Sequence, residues 1–245
     1  MAIRSADSPP KETKARILTA ALDLFRERGF AETTMREIAA TAGVATGLAY
    51  YYFESKNAIV LAFYQRAMED LPDLLAPAHS HKRLDARLRA LIDTKFSYFA
   101  PNRRFLGALM GQAADPQSPL SPFGADSAAV RGMDFRQFAR ALEETGVAVP
   151  KELRSVLPQM LWFYQMGLIL FWIYDRSEGQ RRTRELLDLS LPMVVTLIKA
   201  SNLPLLGPAR RAVQRIVLVL EEAVIPSEVE SPQRSGRVSR RSRAT

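Results

Sequence analysis

The chain contains no cysteine, which excludes disulfides, thiolate metal sites and cysteine nucleophiles and fits a reducing compartment. Histidine is nearly as scarce, with only His79 and His81. They flank one serine in a polar stretch that offers no further ligand at metal-binding spacing, so solvent exposure is the better reading and metal binding the weaker one. There is no Gly-x-Ser-x-Gly elbow, Walker-type phosphate loop or His-Glu-x-x-His helix, so nothing in the pattern favours an enzyme and no cofactor is expected. Hairpin dipeptides such as Asn-Gly and Asp-Gly are missing too, as is sustained period-2 alternation, which leaves an all-α class. The most apolar stretch, Met160 to Tyr174, includes Gln165 and is shorter than the roughly 20 residues that cross a bilayer, so it reads as a buried helix. The first residues lack the apolar run of a signal peptide, and a cytoplasmic chain is expected.

What is present is a net charge of +8 from 34 basic and 26 acidic residues. Such a balance suits an anionic partner, yet its distribution singles out no segment. Residues 1–56 carry eight Lys or Arg against seven Asp or Glu, and the densest basic stretch is 226–245, with Arg234, Arg237, Arg240, Arg241 and Arg243. That polar tail reads as a disordered, solvated end, with non-specific attraction to nucleic acid as the alternative.

Helical periodicity organises the remainder. Ile17, Leu18, Ala21, Leu22, Leu24 and Phe25 make one stripe on a helix from about Lys11 to Arg28, with Gly29 as its left-handed cap and Phe30 folding back. Thr34 and Glu37 have capping-box spacing before Met35, Ile38, Ala39 and Ala42. Gly43 permits a sharp turn, Val44 plugs the corner, and Thr46 is expected to cap a third helix ending at Phe53. Ser55 opens a fourth, from Lys56 to about Leu71, where Pro72 and Pro77 suggest a break. Further helices are expected at Leu84–Ala100, Arg104–Gln112, up to about Gly146, from Pro150 or Lys151 to Tyr174, at Gln180–Ser201 and at Gly207–Val224. Pro158 and Pro192 bend two of them or delay their start.

The third helix would bury Ala49 and Phe53, four residues apart, against Ile38 and Leu24. Its other face, Thr46, Gly47, Leu48, Tyr50, Tyr51 and Tyr52, is odd for plain solvent. It suits a DNA major groove, where hydroxyls bind phosphates and rings pack on thymine methyls. Boundary packing of the rings is the plainer alternative.

The segment 33–59, TTMREIAATAGVATGLAYYYFESKNAI, resembles the helix-turn-helix of the tetracycline-repressor (TetR) family. Thr34, Ile38 with Ala39, Ala42 with Gly43 and Val44, Gly47, Tyr50, Tyr52, Phe53 and Lys56 stand in the family's register. The resemblance covers about residues 11–71. It implies an N-terminal three-helix helix-turn-helix DNA-binding domain joined to an α-helical ligand-binding and dimerisation domain. The corresponding division is a flexible 1–10, a DNA-binding 11–71, a helical body 72–225 and the tail 226–245. By the same resemblance Tyr50, Tyr52, Lys56 and Thr34 would meet phosphates, while Thr46, Gly47 and Tyr51, with Leu48 beside them, would approach base edges. Ala45, Thr46 and Leu48 depart from common family residues, so base preference does not carry over.

The family likeness further implies a homodimer on a palindromic double-stranded operator, acting as a repressor released by a small apolar or aromatic effector, without membrane attachment. Leu153, Leu157, Leu161, Leu168 and Trp172, followed by Leu186, Leu189, Met193, Leu197 and Ala200, are the candidate faces of an intersubunit bundle; an intramolecular core explains the same stripes, and the family likeness favours the dimer. Candidate effector contacts are Phe96, Phe99, Phe105, Met110, Trp162, Phe163, Gln165 and Met166, an aromatic and Met-rich set with one amide. An enzyme is the main rival class, and a helical adaptor or ligand-binding protein that reads no DNA is the second.

Overall fold

The computed structural model describes residues 10–113, 118, 120–124 and 126–224. The expected N-terminal segment lies outside these residues except for Pro10, as does the Arg-rich tail 226–245. Every regular element among the described residues is a helix.

Helix α1 (Pro10–Glu27) buries the stripe read from the sequence, with Ile17, Ala21 and Phe25 almost fully enclosed. Gly29 ends it at φ +94°, a conformation that costs a side-chain-bearing residue about 1 kcal/mol or more. Phe30 then folds back to 5.1 Å from the Phe25 ring. Helix α2 (Met35–Thr41) opens on the expected box: Thr34 Oγ1 accepts from the Glu37 amide, and the Thr34 amide donates to the Glu37 carboxylate at 2.8 Å. Hydrogen bonds from the Thr34 backbone and hydroxyl hold the Glu37 carboxyl below its ordinary pKa.

Gly43, at φ +64°, makes the turn, and the Val44 amide returns to the Ala39 carbonyl at 2.9 Å. Helix α3 (Thr46–Tyr52) differs from expectation at its start. Ala45 is the cap residue, with extended backbone and no side-chain bond, and Thr46 is already helical. The register of the turn thus places an alanine where a hydroxyl was expected, and the first turn of α3 has no side-chain acceptor. Ser55 does cap helix α4 (Lys56–Leu75), accepting from the Ala58 amide at 3.2 Å.

Helix α4 continues past the expected break, with Pro72 inside it. Pro72 is exposed, so its ring displaces no core contact, and the buried series Ala67, Leu71 and Leu75 carries the stripe through. Ile59, Val60 and Phe63 on its first half belong to the apolar core of the N-terminal helices, whereas Ala67, Leu71 and Leu75 belong to that of the body.

The body comprises α5 (Leu84–Phe99), α6 (Arg103–Ala113), α7 (Ala128–Glu144), α8 (Leu157–Tyr174), α9 (Arg181–Ala200) and α10 (Gly207–Val224). Helix α7 packs on α8, α5 on α9, and both α4 and α6 reach this group. The helix expected from Pro150 or Lys151 is split: Lys151–Leu153 form a short 3-10 turn and α8 starts at Leu157. Pro158 falls in its first turn, where no helical amide is required. Pro192 remains inside α9, on its exposed side.

A polar joint links α8 to α9. The Asp175 carboxylate accepts from the Ser177 amide (2.9 Å) and hydroxyl (2.6 Å) and from the Thr183 amide (2.9 Å) and hydroxyl (2.8 Å). Burial works to raise its pKa, but these four bonds outweigh burial and hold the carboxyl far below the usual carboxylate range.

Candidate nucleic-acid interface and internal cavity

The short helix α3 buries one side chain, Ala49, and the adjoining Phe53 also lies inside. Tyr51 is 80% exposed, Tyr50 51% and Leu48 40%; Thr46 and Gly47 are exposed beside them. Tyr52 is half-buried, its ring edge-on to Tyr51 at 5.2 Å. These residues therefore form one outward surface of hydroxyls and rings. Thr34 is exposed too, although its hydroxyl is engaged with Glu37 at 2.8 Å.

Lys56 is placed differently. Its Nζ donates to the carbonyls of Phe30 (2.6 Å) and Ala31 (3.2 Å) and sits 4.6 Å from the Phe30 ring centroid. It fastens the start of α4 to the loop after α1, leaving one ammonium proton for another acceptor.

A cavity of about 150 Å³ opens among α4, α5, α6, α7 and α8. Six of the side chains expected to contact an effector line it: Phe96, Phe99, Met110, Trp162, Gln165 and Met166. Phe105 and Phe163 do not. Phe105 is 1% exposed in the N-terminal core, stacked on Phe25 at 5.0 Å; it locks α6 to α1. Phe163 points to another side of α8, stacking on Phe123 at 6.2 Å. Sharing a helix with pocket residues was not enough, because adjacent positions diverge by about 100° around the axis.

Charged groups that the sequence reading passed over also line this cavity. Lys95, 3% exposed, donates to Asp134 Oδ1 at 2.6 Å and Gln165 Oε1 at 2.9 Å, and Gln165 Nε2 closes the ring onto Asp134 Oδ2 at 3.0 Å. Burial pushes the Lys95 pKa down, opposed by the attraction and hydrogen bond of Asp134. The signal was present in the sequence: Leu88, Leu91, Ile92 and Lys95 share one stripe of α5, so a lysine at a core position demands a buried partner. Arg131, Ser127 and Tyr64 add further polar groups to the wall. Among the described residues no group of His, Asp and Glu is placed to hold a metal, and no single helix is long and apolar enough to cross a membrane.

Comparison with known proteins locates both halves of this arrangement. Residues 17–63 match the family model described as bacterial regulatory proteins, tetR family. Residues 87–215 match that of the tetracyclin repressor-like C-terminal domain. The chain belongs to the TetR family.

TetR-family proteins are DNA-binding transcriptional regulators and not enzymes. An HTH-type transcriptional repressor of Mycobacterium tuberculosis is 42% identical over 81 residues, 33% of this chain and 42% of that protein. The probable HTH-type transcriptional regulator ArpR of Pseudomonas putida is 35% identical over 83 residues, 34% of this chain and 40% of the relative. Both matches thus span about two fifths of the relatives' lengths. A TetR-family regulator from Streptomyces coelicolor superimposes with a TM-score of 0.61 at 25% identity, over 86% of this chain and 90% of that one. FadR of Thermus thermophilus, solved with lauroyl-CoA, shares the fold at a TM-score of 0.56 and 23% identity, over 74% and 93% of the two chains. In this TetR-family chain the helix-turn-helix is α2–α3, and the cavity lies in the C-terminal matched region apart from its α4 wall.

Proposed function

We propose that this TetR-family regulator is a cytoplasmic repressor that binds a palindromic operator as a homodimer and leaves it when a small apolar or aromatic effector enters the cavity. Residues 11–71 would act as the reading head and 72–225 as the ligand-binding and dimerisation body. Tyr50, Tyr52, Thr34 and the remaining proton of Lys56 would meet phosphates; Thr46, Gly47, Leu48 and Tyr51 would meet base edges.

The observation that carries this reading is the course of α4. Its first residues are tied to the head through Lys56, and further along Tyr64, Met68 and Leu71 line the cavity. A ligand that fits the cavity better in one position of α4 than in another must bias that position, and the recognition helices of a dimer change separation with it. The outer apolar face of α9 supports the dimer: Leu189, Met193 and Leu197 are 71%, 59% and 62% exposed and recur at helical spacing. Two-fold pairing would set the heads about 34–36 Å apart or somewhat more, one turn of DNA.

Selection of bound DNA from a random pool tests the reading. A recovered palindrome, together with its release by apolar compounds, is the expected result. Recovery of no sequence above background would overturn it.

A further inference from the structure

Among the described residues, the cavity wall carries one more positive charge than its carboxylate can neutralise. Lys95, Arg131 and Asp134 all line it, and Asp134 is already committed to Lys95 and Gln165. Arg131, 7% exposed, donates through Nη1 alone: to the carbonyls of Pro122 (2.8 Å) and Gly124 (3.1 Å) and to the Ser127 hydroxyl (3.2 Å). No carboxylate among the described residues pairs with its guanidinium. Burial pushes its pKa down.

An enclosed cation held only by neutral acceptors is costly to keep. Fastening the 121–127 turn explains Nη1, yet a neutral donor would fasten that turn without the cost of the charge. The remaining edge of the guanidinium is a planar fork suited to a carboxylate. The rest of the wall, with Phe96, Leu106, Met166 and Trp172, is apolar. Tyr64 adds a hydroxyl that burial raises to about 12, so at neutral pH it is a donor and not a competing anion.

We infer that the cavity takes a small monocarboxylate, with the acid group on Arg131 and a single ring, or an apolar body of that size, among the aromatic and aliphatic walls. The size limit comes from the volume of about 150 Å³, close to that of an engineered cavity that binds benzene. The inference names the effector class of the ligand-responsive reading and rests on it.

Calorimetric titration of the full chain with benzoate, phenylacetate and cyclohexanecarboxylate, each beside its neutral amide, tests the assignment. At least one acid is expected to bind about tenfold or more tighter than its amide, as befits a charge-assisted pair. Arg131→Gln should lose that preference and keep amide binding, while Arg131→Lys should retain part of it; helical circular dichroism checks folding. If none of the acids binds the wild-type chain, or if acid and amide bind alike, the inference is overturned whatever the variants do. Survival of the acid preference in Arg131→Gln would also overturn it. Adding the selected operator separates the two readings. Release by the amides as readily as by the acids would sink the carboxylate and leave the regulator standing. Arg131-dependent acid binding with no effect on the operator would support the inference and sink ligand-controlled release.

Discussion

Gly47 has no contact within the chain that calls for a glycine: a Cβ built there meets nothing within 4 Å. Its backbone is helical, so Gly47→Ala should raise stability, by about 0.5–1 kcal/mol from helix propensity alone. If the bare backbone serves close approach to a base edge, the same change should weaken operator binding about tenfold or more. Thermal melts and fluorescence anisotropy on the selected operator measure the two effects, and undiminished affinity would remove Gly47 from the interface. Lys56 is the opposite case. Lys56→Ala breaks bonds to two carbonyls and should lower stability by about 1–3 kcal/mol as well as affinity. Tyr50→Ala, at a residue 51% exposed, should spare the fold and is the cleaner probe of DNA contact.

At the scale of elements, the α8–α9 joint predicts a specific acid response. The Asp175 carboxyl titrates lower in the folded chain than its ordinary 3.8. Its stabilisation is therefore fully present above that value and is lost as pH falls toward the folded-state pKa. Asp175→Asn should lower the melting temperature at pH 7 and flatten its decline below about pH 4. A wild-type and variant pair of melting curves with parallel acid limbs would refute the assignment. Helix α4 shows where local reading stops short. The sequence expectation ends this helix at Leu71, but the exposed Pro72 removes only one backbone hydrogen bond while Leu75 still gains burial at 1% exposure. That unbroken helix is what joins the head to the cavity wall.

For the whole molecule, the sequence offered two apolar faces for an intersubunit bundle, and the fold uses them differently. Leu153, Leu157, Leu161, Leu168 and Trp172 are buried within the chain, so they hold the body together. Leu186, Leu189, Met193 and Leu197 on α9 stay exposed, as do Met160, Leu170 and Phe171 on α8. Replacing Leu189 and Leu197 together by Glu should leave helicity intact, give a monomer by light scattering and abolish tight operator binding. A variant that still ran as a dimer would move the interface elsewhere, with the exposed Ile216 and Val219 of α10 the next place to look.

The sequence by itself determined the head almost completely. The Thr34–Glu37 box, Gly29, Gly43 and the burial of Ala49 with Phe53 depend on residues close in the chain, and local hydrogen bonding and helical spacing specify such features. It also announced an aromatic, Met-rich lining for the body, without telling Phe96 and Met166 from Phe105 and Phe163. That distinction depends on the rotation of each helix against its neighbours, which packing of distant segments decides. The same packing encloses Lys95 beside Asp134 and, among the described residues, leaves Arg131 without a carboxylate. Charge balance inside a cavity is a property of residues far apart in sequence, so the electrostatic character of the site emerged only once the chain was folded.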